Sequence, residues 1–187
     1  MRNKETWADK IFPKLLSQFT PRIQADLREI PWPKNVKGEV KSLFLYGPTE
    51  TGKTIHSAFL CLQENKNLYL GGDTSGKEFI FVSFPELFSE IKATFGSNEI
   101  SEIDVLEKYK KVYLLVLDDF GVKNASDWFL ELLYIIINYR YEYLLKTIIT
   151  SNTSLEDISN KLGDDRISSR IGRMCIISDK KKTWKNK

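Results

Sequence analysis

What the chain has little of narrows its class first. Cysteine is scarce: Cys61 and Cys175 are the two in 187 residues. Each stands among apolar neighbours, so they read as small core residues of a reducing compartment and not as the start of a disulfide framework. An excess of one charge is also missing. Lys and Arg number 28 against 25 Asp and Glu, a net charge of +3, which leaves nucleic-acid binding to a local patch and not to a global field. No apolar run approaches the roughly 20 residues of a membrane-spanning helix. The opening MRNKETWADK carries charge but no apolar stretch behind it, so no secretory signal is expected and the chain is assigned to the cytoplasm. What remains is ordinary for a globular protein, 42% hydrophobic and 28% charged, with a length that suits one domain and a substantial core.

The most informative stretch is KSLFLYGPTETGKT, residues 41–54. Ser42 to Tyr46 reads as a short buried strand that ends at Gly-Pro. The loop Gly47-Pro48-Thr49-Glu50-Thr51-Gly52-Lys53-Thr54 matches G-x-x-x-x-G-K-[ST], and a helical stretch from Ile55 to Glu64 follows. Each part has a physical task. Glycines let the backbone curl until successive N–H groups point inward at phosphate oxygens, and the helix start adds its positive dipole end. Lys53 supplies a point charge between the outer phosphates, and the Thr54 hydroxyl a ligand for Mg²⁺. A chance glycine turn lacks this strand before and helix after, so the stretch is a candidate nucleoside triphosphate site.

The rest of the chain builds around that strand. In residues 6–30, Trp7, Ile11, Leu15, Phe19 and Ile23 recur at helical spacing while Pro13 and Pro21 interrupt it. Two short helices packed on the main domain are expected, with a partner-binding arm as the competing reading. Pro31-Trp32-Pro33-Lys34 is an extended linker. Residues 1–38 thus form a helical arm and linker, 39–179 the main domain and 180–187 a basic, mobile tail. Gly71 to Lys77 mimics a second phosphate loop, but Glu78 replaces the hydroxyl residue and a strand, Phe79 to Val82, follows; a hairpin turn is expected. Phe84 to Phe95 is an amphipathic helix with Leu87, Phe88, Ile91 and Phe95 on one face. A more charged helix, Ser101 to Lys111, leads to the strand Val112 to Leu117, closed by Asp118 and Asp119. An apolar run of that kind is buried on both faces, as in a parallel sheet, and acids at its carboxyl end lie where such sheets bind ligands. Asp118 is placed to hold the metal and Asp119 to orient or deprotonate the attacking water. Helix Ser126 to Leu145 carries Asp127, Glu131, Tyr134, Asn138 and Glu142 on one stripe. Strand Thr147 to Ser151 ends at Asn152, which is either a turn residue or a partner of the water or terminal phosphate. Ser154 caps a helix that Gly163 ends, and Asp164 caps the next. There Arg166, Arg170 and Arg173 share a face, either as a solvated stripe or as an arginine finger.

Phosphate loop, strand ending in two acids, strand ending in Asn, then paired arginines: this order resembles the AAA+ ATPases, and more narrowly the DnaC/IstB group of helicase loaders and transposition helper ATPases. SLFLYGPTETGKT, KKVYLLVLDDFG, DWFLELLYIIINYRYEYLLKTIITSN and LGDDRISSRIGRMC carry the likeness. It implies a P-loop α/β three-layer sandwich with a five-stranded parallel sheet in the order 5-1-4-3-2, without a carboxyl-terminal lid. It implies ATP and Mg²⁺ at a boundary between copies of the chain, a helicase or transposase as partner, and single-stranded DNA against the helices between strands two and three. There Lys92, Lys108, Lys110 and Lys111 alternate with Phe95 and Tyr109. On the same likeness Asn152 is the first sensor and Arg170 the finger acting in trans, with Arg166 as a second arginine. Asp119 departs from the Glu that many AAA+ proteins carry. A small P-loop kinase and a nucleotide-gated interaction module are the rival readings.

Overall fold

The computed structural model describes residues 12–29, 39–72, 77–95, 101–121 and 126–180. The expectations for Trp7, Ile11, the Pro31–Lys34 linker and the tail beyond Lys180 lie outside these residues.

Five short strands form one parallel sheet: β1 (Leu43–Tyr46), β2 (Phe79–Ser83), β3 (Leu114–Asp118), β4 (Lys146–Ser151) and β5 (Ile176–Asp179). Their order is β2-β3-β4-β1-β5, the arrangement the family likeness implied. Alternation along each strand divides the core in two. Phe44, Leu115, Leu117 and Ile149 face one layer, and Leu45, Leu114, Val116 and Ile148 face the other. On the first face lie α4 (Phe84–Ala93), α5 (Glu102–Lys111), α6 (Asp127–Glu142) and α8 (Arg166–Met174), with α7 (Leu155–Leu162) beside α8. The second face is covered by α1 (Phe12–Leu16), α2 (Pro21–Glu29) and α3 (Lys53–Leu70). Pro21 opens α2, a position where its missing N–H costs nothing. Leu15, Leu16, Phe19, Ile23 and Leu27 are buried with Phe59 and Val40. The amino-terminal helices are therefore part of the core's second layer.

Sequence and structure part at the Gly71 turn. Among the described residues no hairpin precedes β2: the phosphate-loop helix runs on to Leu70, and β2 pairs parallel to β3, with Ser83 opposite Asp118. Asn67 to Leu70 is too short an apolar run for its period to separate strand from helix. In the fold Gln63 donates to Asn67 one turn on at 2.7 Å, and Tyr69 packs on the second core, which extends the helix. Residues 73–76 of that turn lie outside those described.

Helix ends follow side-chain chemistry. Ser83, Ser101, Ser126 and Ser154 each accept a backbone N–H from the third residue on. Ser83 and Glu86 complete a reciprocal capping box, and Gly163 closes α7 at φ 64°. Asp165, one residue beyond the expected Asp164, stands at the cap of α8, although the Asp164 carboxylate accepts the Arg166 N–H at 2.9 Å.

Candidate functional site

The loop after β1 is held open by its backbone. Gly47 has φ 144° and approaches the chain beyond β5 so closely that a Cβ there would lie 2.4 Å from the Lys180 carbonyl oxygen. Gly52 is left-handed at φ 80° and starts α3. Glu50 is left-handed as well (φ 64°), an unfavourable conformation for a residue with a Cβ. Such strain is found where a backbone shape is needed for a ligand. Lys53 donates to the carbonyls of Gly47 at 2.9 Å and Pro48 at 2.7 Å. Its ammonium therefore lies inside the curl, where phosphate oxygens would compete for it. Burial holds its pKa below the ordinary lysine value, against the pull of the Asp118 and Asp119 charges.

Across the loop, parallel pairing brings the ends of β3 and β4 together. Thr54 Oγ1 lies 3.0 Å from both carboxylate oxygens of Asp118. Thr150 donates to the same carboxylate at 2.6 Å and accepts the Asp119 N–H at 2.9 Å. Burial pushes the Asp118 carboxyl above the usual aspartate value, and these two hydroxyls draw it back down. Asp119 leaves the strand with φ 54°, which turns its carboxylate outward to accept from Asn152 Nδ2 at 2.9 Å. Asp118 is buried, while Asp119 and Asn152 are exposed. The arrangement thus offers a shielded carboxylate beside a hydroxyl and a solvent-facing carboxylate oriented by an amide. That donor set fits a nucleoside triphosphate with a hard divalent cation: oxygen ligands for the cation, an ammonium and helix-start amides for the phosphates.

Thr150 is the residue that sequence reasoning missed. It sits inside an apolar strand, and only the β3–β4 register reveals that it bridges the two acids.

Arg166 and Arg170 are spoken for within the chain. Arg166 reaches Asp164 at 2.7 Å and Glu131 at 3.1 Å, and its guanidinium stands 4.7 Å from the centre of the Tyr134 ring. Arg170 donates to Asn138 at 3.0 Å and lies 5.5 Å from the same ring. The polar stripe of α6 is therefore a seat for both arginines, at Glu131 and Asn138, although Asp127, Glu131 and Glu142 stay exposed. Arg173 is exposed.

The proposed DNA-facing lysines are mostly paired. Lys108 meets Glu90 at 2.7 Å, and Lys110 and Lys111 share Glu107, whereas Lys92 is exposed. Tyr109 is buried with its hydroxyl on Glu90, which removes it as a stacking surface. Phe95 departs from the buried face expected of it: it is 58% exposed, with its ring 4.5 Å from that of Trp128. Both cysteines are buried thiols, and burial pushes Cys175 up to about 12. Among the described residues no helix is long and apolar enough to cross a membrane.

Comparison with known proteins agrees with this geometry. The chain is 27% identical over 134 residues to the replicative helicase loader DnaC of Escherichia coli strain K12, an overlap covering 72% of this chain and 51% of that protein. The phage-like element PBSX protein XkdC of Bacillus subtilis strain 168 is 30% identical over 101 residues, 51% of this chain and 36% of that protein. The chain thus spans about half the length, or less, of these curated relatives. The crystal structure of the DnaC helicase loader matches with a TM-score of 0.61 at 25% identity, covering 89% of this chain and 96% of that one. AMPPCP-bound DnaA from Aquifex aeolicus shares the fold at a TM-score of 0.61 and 20% identity, over 84% of this chain and 44% of that one. The family described as IstB-like ATP binding protein matches residues 8–178, and the chain belongs to that family of DnaC/IstB-like AAA+ ATP-binding proteins.

Proposed function

We propose that this chain binds ATP with Mg²⁺, hydrolyses it slowly, and acts as a DnaC-like helicase loader on single-stranded DNA during replication. The observation that carries the reading is the cluster Thr54–Asp118–Thr150–Asp119–Asn152, with Lys53 inside the phosphate loop. Gly47 to Thr54 cradle the phosphates. Thr54 and Asp118 hold the metal, which neutralises charge on the phosphates. Asp119 accepts a proton from, or orients, the attacking water, and Asn152 fixes that carboxylate. The likeness to DnaC supports the loader role, and the IstB-like family match favours a transposition helper ATPase as the second reading.

DNA is met by Lys92 and the exposed Phe95, whose ring packs on the half-buried Trp128, with Lys108, Lys110 and Lys111 at the periphery, where their carboxylate partners blunt them. Copies of the chain assemble through the ATP site, and Arg170 serves a neighbour's phosphate after leaving Asn138, with Arg166 beside it. Mixing inactive Arg170→Ala and Lys53→Ala proteins then restores part of the ATPase, because one mixed boundary holds both an intact loop and an intact finger.

Steady-state ATP hydrolysis with and without a single-stranded oligonucleotide tests the activity. Stimulated turnover that Asp119→Asn abolishes, with ATP binding retained, supports it. Equal turnover in both proteins points to a nucleotide-gated module instead. Co-elution with a hexameric replicative helicase, rather than with a transposase, separates loader from helper.

A further inference from the structure

One hydroxyl joins the two acids of the site. Thr150 Oγ1 donates its proton to Asp118 Oδ1 at 2.6 Å and accepts the Asp119 N–H at 2.9 Å. A hydroxyl has one proton and two lone pairs, so a single group serves both residues at once. The main chain of Thr150 adds a third tie, because its carbonyl accepts the Phe120 N–H at 2.7 Å. The next residue extends the seam. Ser151 donates to the Phe120 carbonyl at 2.8 Å, and its own carbonyl accepts the Gly47 N–H at 3.2 Å. The carboxyl end of β4 thus touches both the phosphate loop and the turn that carries the second acid.

What these ties hold is the bend by which the chain leaves β3. Asp119 stands at φ 54°, in the left-handed region that a residue with a Cβ avoids. That bend aims its carboxylate out of the sheet. The side chain has a bond of its own, to Asn152 at 2.9 Å, but that pair is exposed and water competes for both partners. Thr150 is 1% exposed, so its bonds face no such competition. The direction of the Asp119 carboxylate is therefore set from behind, through its backbone, by a residue of the neighbouring strand.

We propose that Thr150 is a positioning residue for hydrolysis: its hydroxyl locks the Asp119 backbone to the Asp118 carboxylate and so sets the acid that faces the attacking water in register with the metal seat. The proposal rests on the nucleotide reading of the phosphate loop. Thr150 acts through Asp119, not on the phosphate or the water. Serine can replace it, since it keeps the donor and the acceptor. Valine has nearly the same shape and supplies neither, which leaves the Asp119 N–H without its partner.

Two measurements test this. The first is hydrogen exchange of the Asp119 amide, followed by NMR without nucleotide or metal. The wild type should protect that amide although Asp119 itself is exposed. Exchange as fast as in an open loop overturns the proposal, whether or not any variant folds. Thr150→Ser should keep the protection, and Thr150→Val should exchange about tenfold faster, the loss of one buried hydrogen bond. The second is steady-state hydrolysis of Mg-ATP with a single-stranded oligonucleotide present. Thr150→Val should lower kcat about ten- to hundredfold, the scale of a misplaced reacting group, while ATP affinity by equilibrium titration changes less than about threefold. Thr150→Ser should stay within about threefold of the wild-type kcat. A loss of affinity as large as the loss of kcat, or serine failing as valine does, makes Thr150 a structural residue and overturns the proposal. No turnover by the wild type, with the amide protected, fails the reading of the site and takes the positioning role with it. Turnover with an unprotected amide fails the positioning role alone.

Discussion

Two buried polar clusters sit near opposite ends of the same parallel strands. Near the start of β4 the Arg140 guanidinium is fully buried. It makes five hydrogen bonds, to the Thr147 hydroxyl and to the carbonyls of Tyr109, Lys110, Val112 and Lys146. Close by, Glu64 accepts from the Val40 N–H at 3.1 Å, the Tyr113 hydroxyl at 2.6 Å and Lys146 at 2.5 Å. Protein groups occupy these sites, and the backbone around Arg140 is ordinary apart from Leu144 at φ 52°. At the carboxyl ends the opposite holds. Gly47, Glu50, Gly52 and Asp119 all have positive φ. The Asp118 carboxylate is held by two hydroxyls and, among the described residues, forms no ion pair, and its pKa is raised by burial. One cluster is complete within the chain and ties α5, α6 and β4 together. The other holds strain and charge that a ligand would relieve.

Cutting the complete cluster should produce the largest effect. Arg140→Met removes a buried cation that serves as a cap for the last carbonyls of α5, and it strands five acceptors in the core. A loss of about 3–5 kcal/mol in folding stability is expected by urea unfolding, because buried acceptors left without donors bear the full cost of desolvation. ATP affinity of the folded fraction should stay at the wild-type value. A comparable loss of affinity would show that the two ends are coupled.

A smaller effect is expected from Asp118→Asn in nucleotide binding. The gain in ATP affinity on adding Mg²⁺ should fall about tenfold, roughly 1.4 kcal/mol, as a charged ligand becomes a neutral one. Calorimetric titration with and without Mg²⁺ measures it, and an unchanged metal dependence would move the cation away from Asp118.

The smallest effect has the opposite sign to ordinary mutational damage. The folded pKa of Asp118 lies above the ordinary aspartate value because the carboxyl is buried. Such a carboxyl stabilises the fold when protonated; that contribution is complete below the unfolded value and is lost as pH rises through the folded one. In metal-free buffer at pH 7, Asp118→Asn should therefore melt slightly above wild type, and the gap should close as pH falls toward 4. A variant that melts lower at every pH would put Asp118 with the structural cluster.

Legibility followed the range of the interactions. The phosphate loop was readable because its conformation is written in eight consecutive residues, Gly47 to Thr54, between a short strand and a helix. The parallel sheet was readable from apolar runs that end in Asp118 and Ser151. Arg140 was not, because its acceptors come from another helix and strand, and in a helical pattern it looks like one more polar residue of α6. Thr150 was hidden for a similar reason, since its partner Asp118 lies 32 positions away. Tyr109, expected beside Phe95 among the DNA-facing aromatics, is buried, while Phe95, also expected on the apolar face of its helix, is exposed: periodicity assigns a face but not whether the helix end still touches the core. The seating of Arg166 and Arg170 on α6 also needed three dimensions, because the polar stripe of that helix reads as solvent-facing when no partner helix is known.

The contrast between the ends turns on whether the strained end is a phosphate site. Thermal unfolding of wild type and Lys53→Ala, each with and without saturating Mg-ATP, tests this most directly. At a ligand concentration a hundred times Kd, binding adds about 2.7 kcal/mol, a rise of roughly 5–10 °C for a chain of this size. The account predicts that rise for wild type, none for Lys53→Ala, and similar melting of the two proteins without nucleotide. An equal rise in both proteins, or none in either, would contradict it.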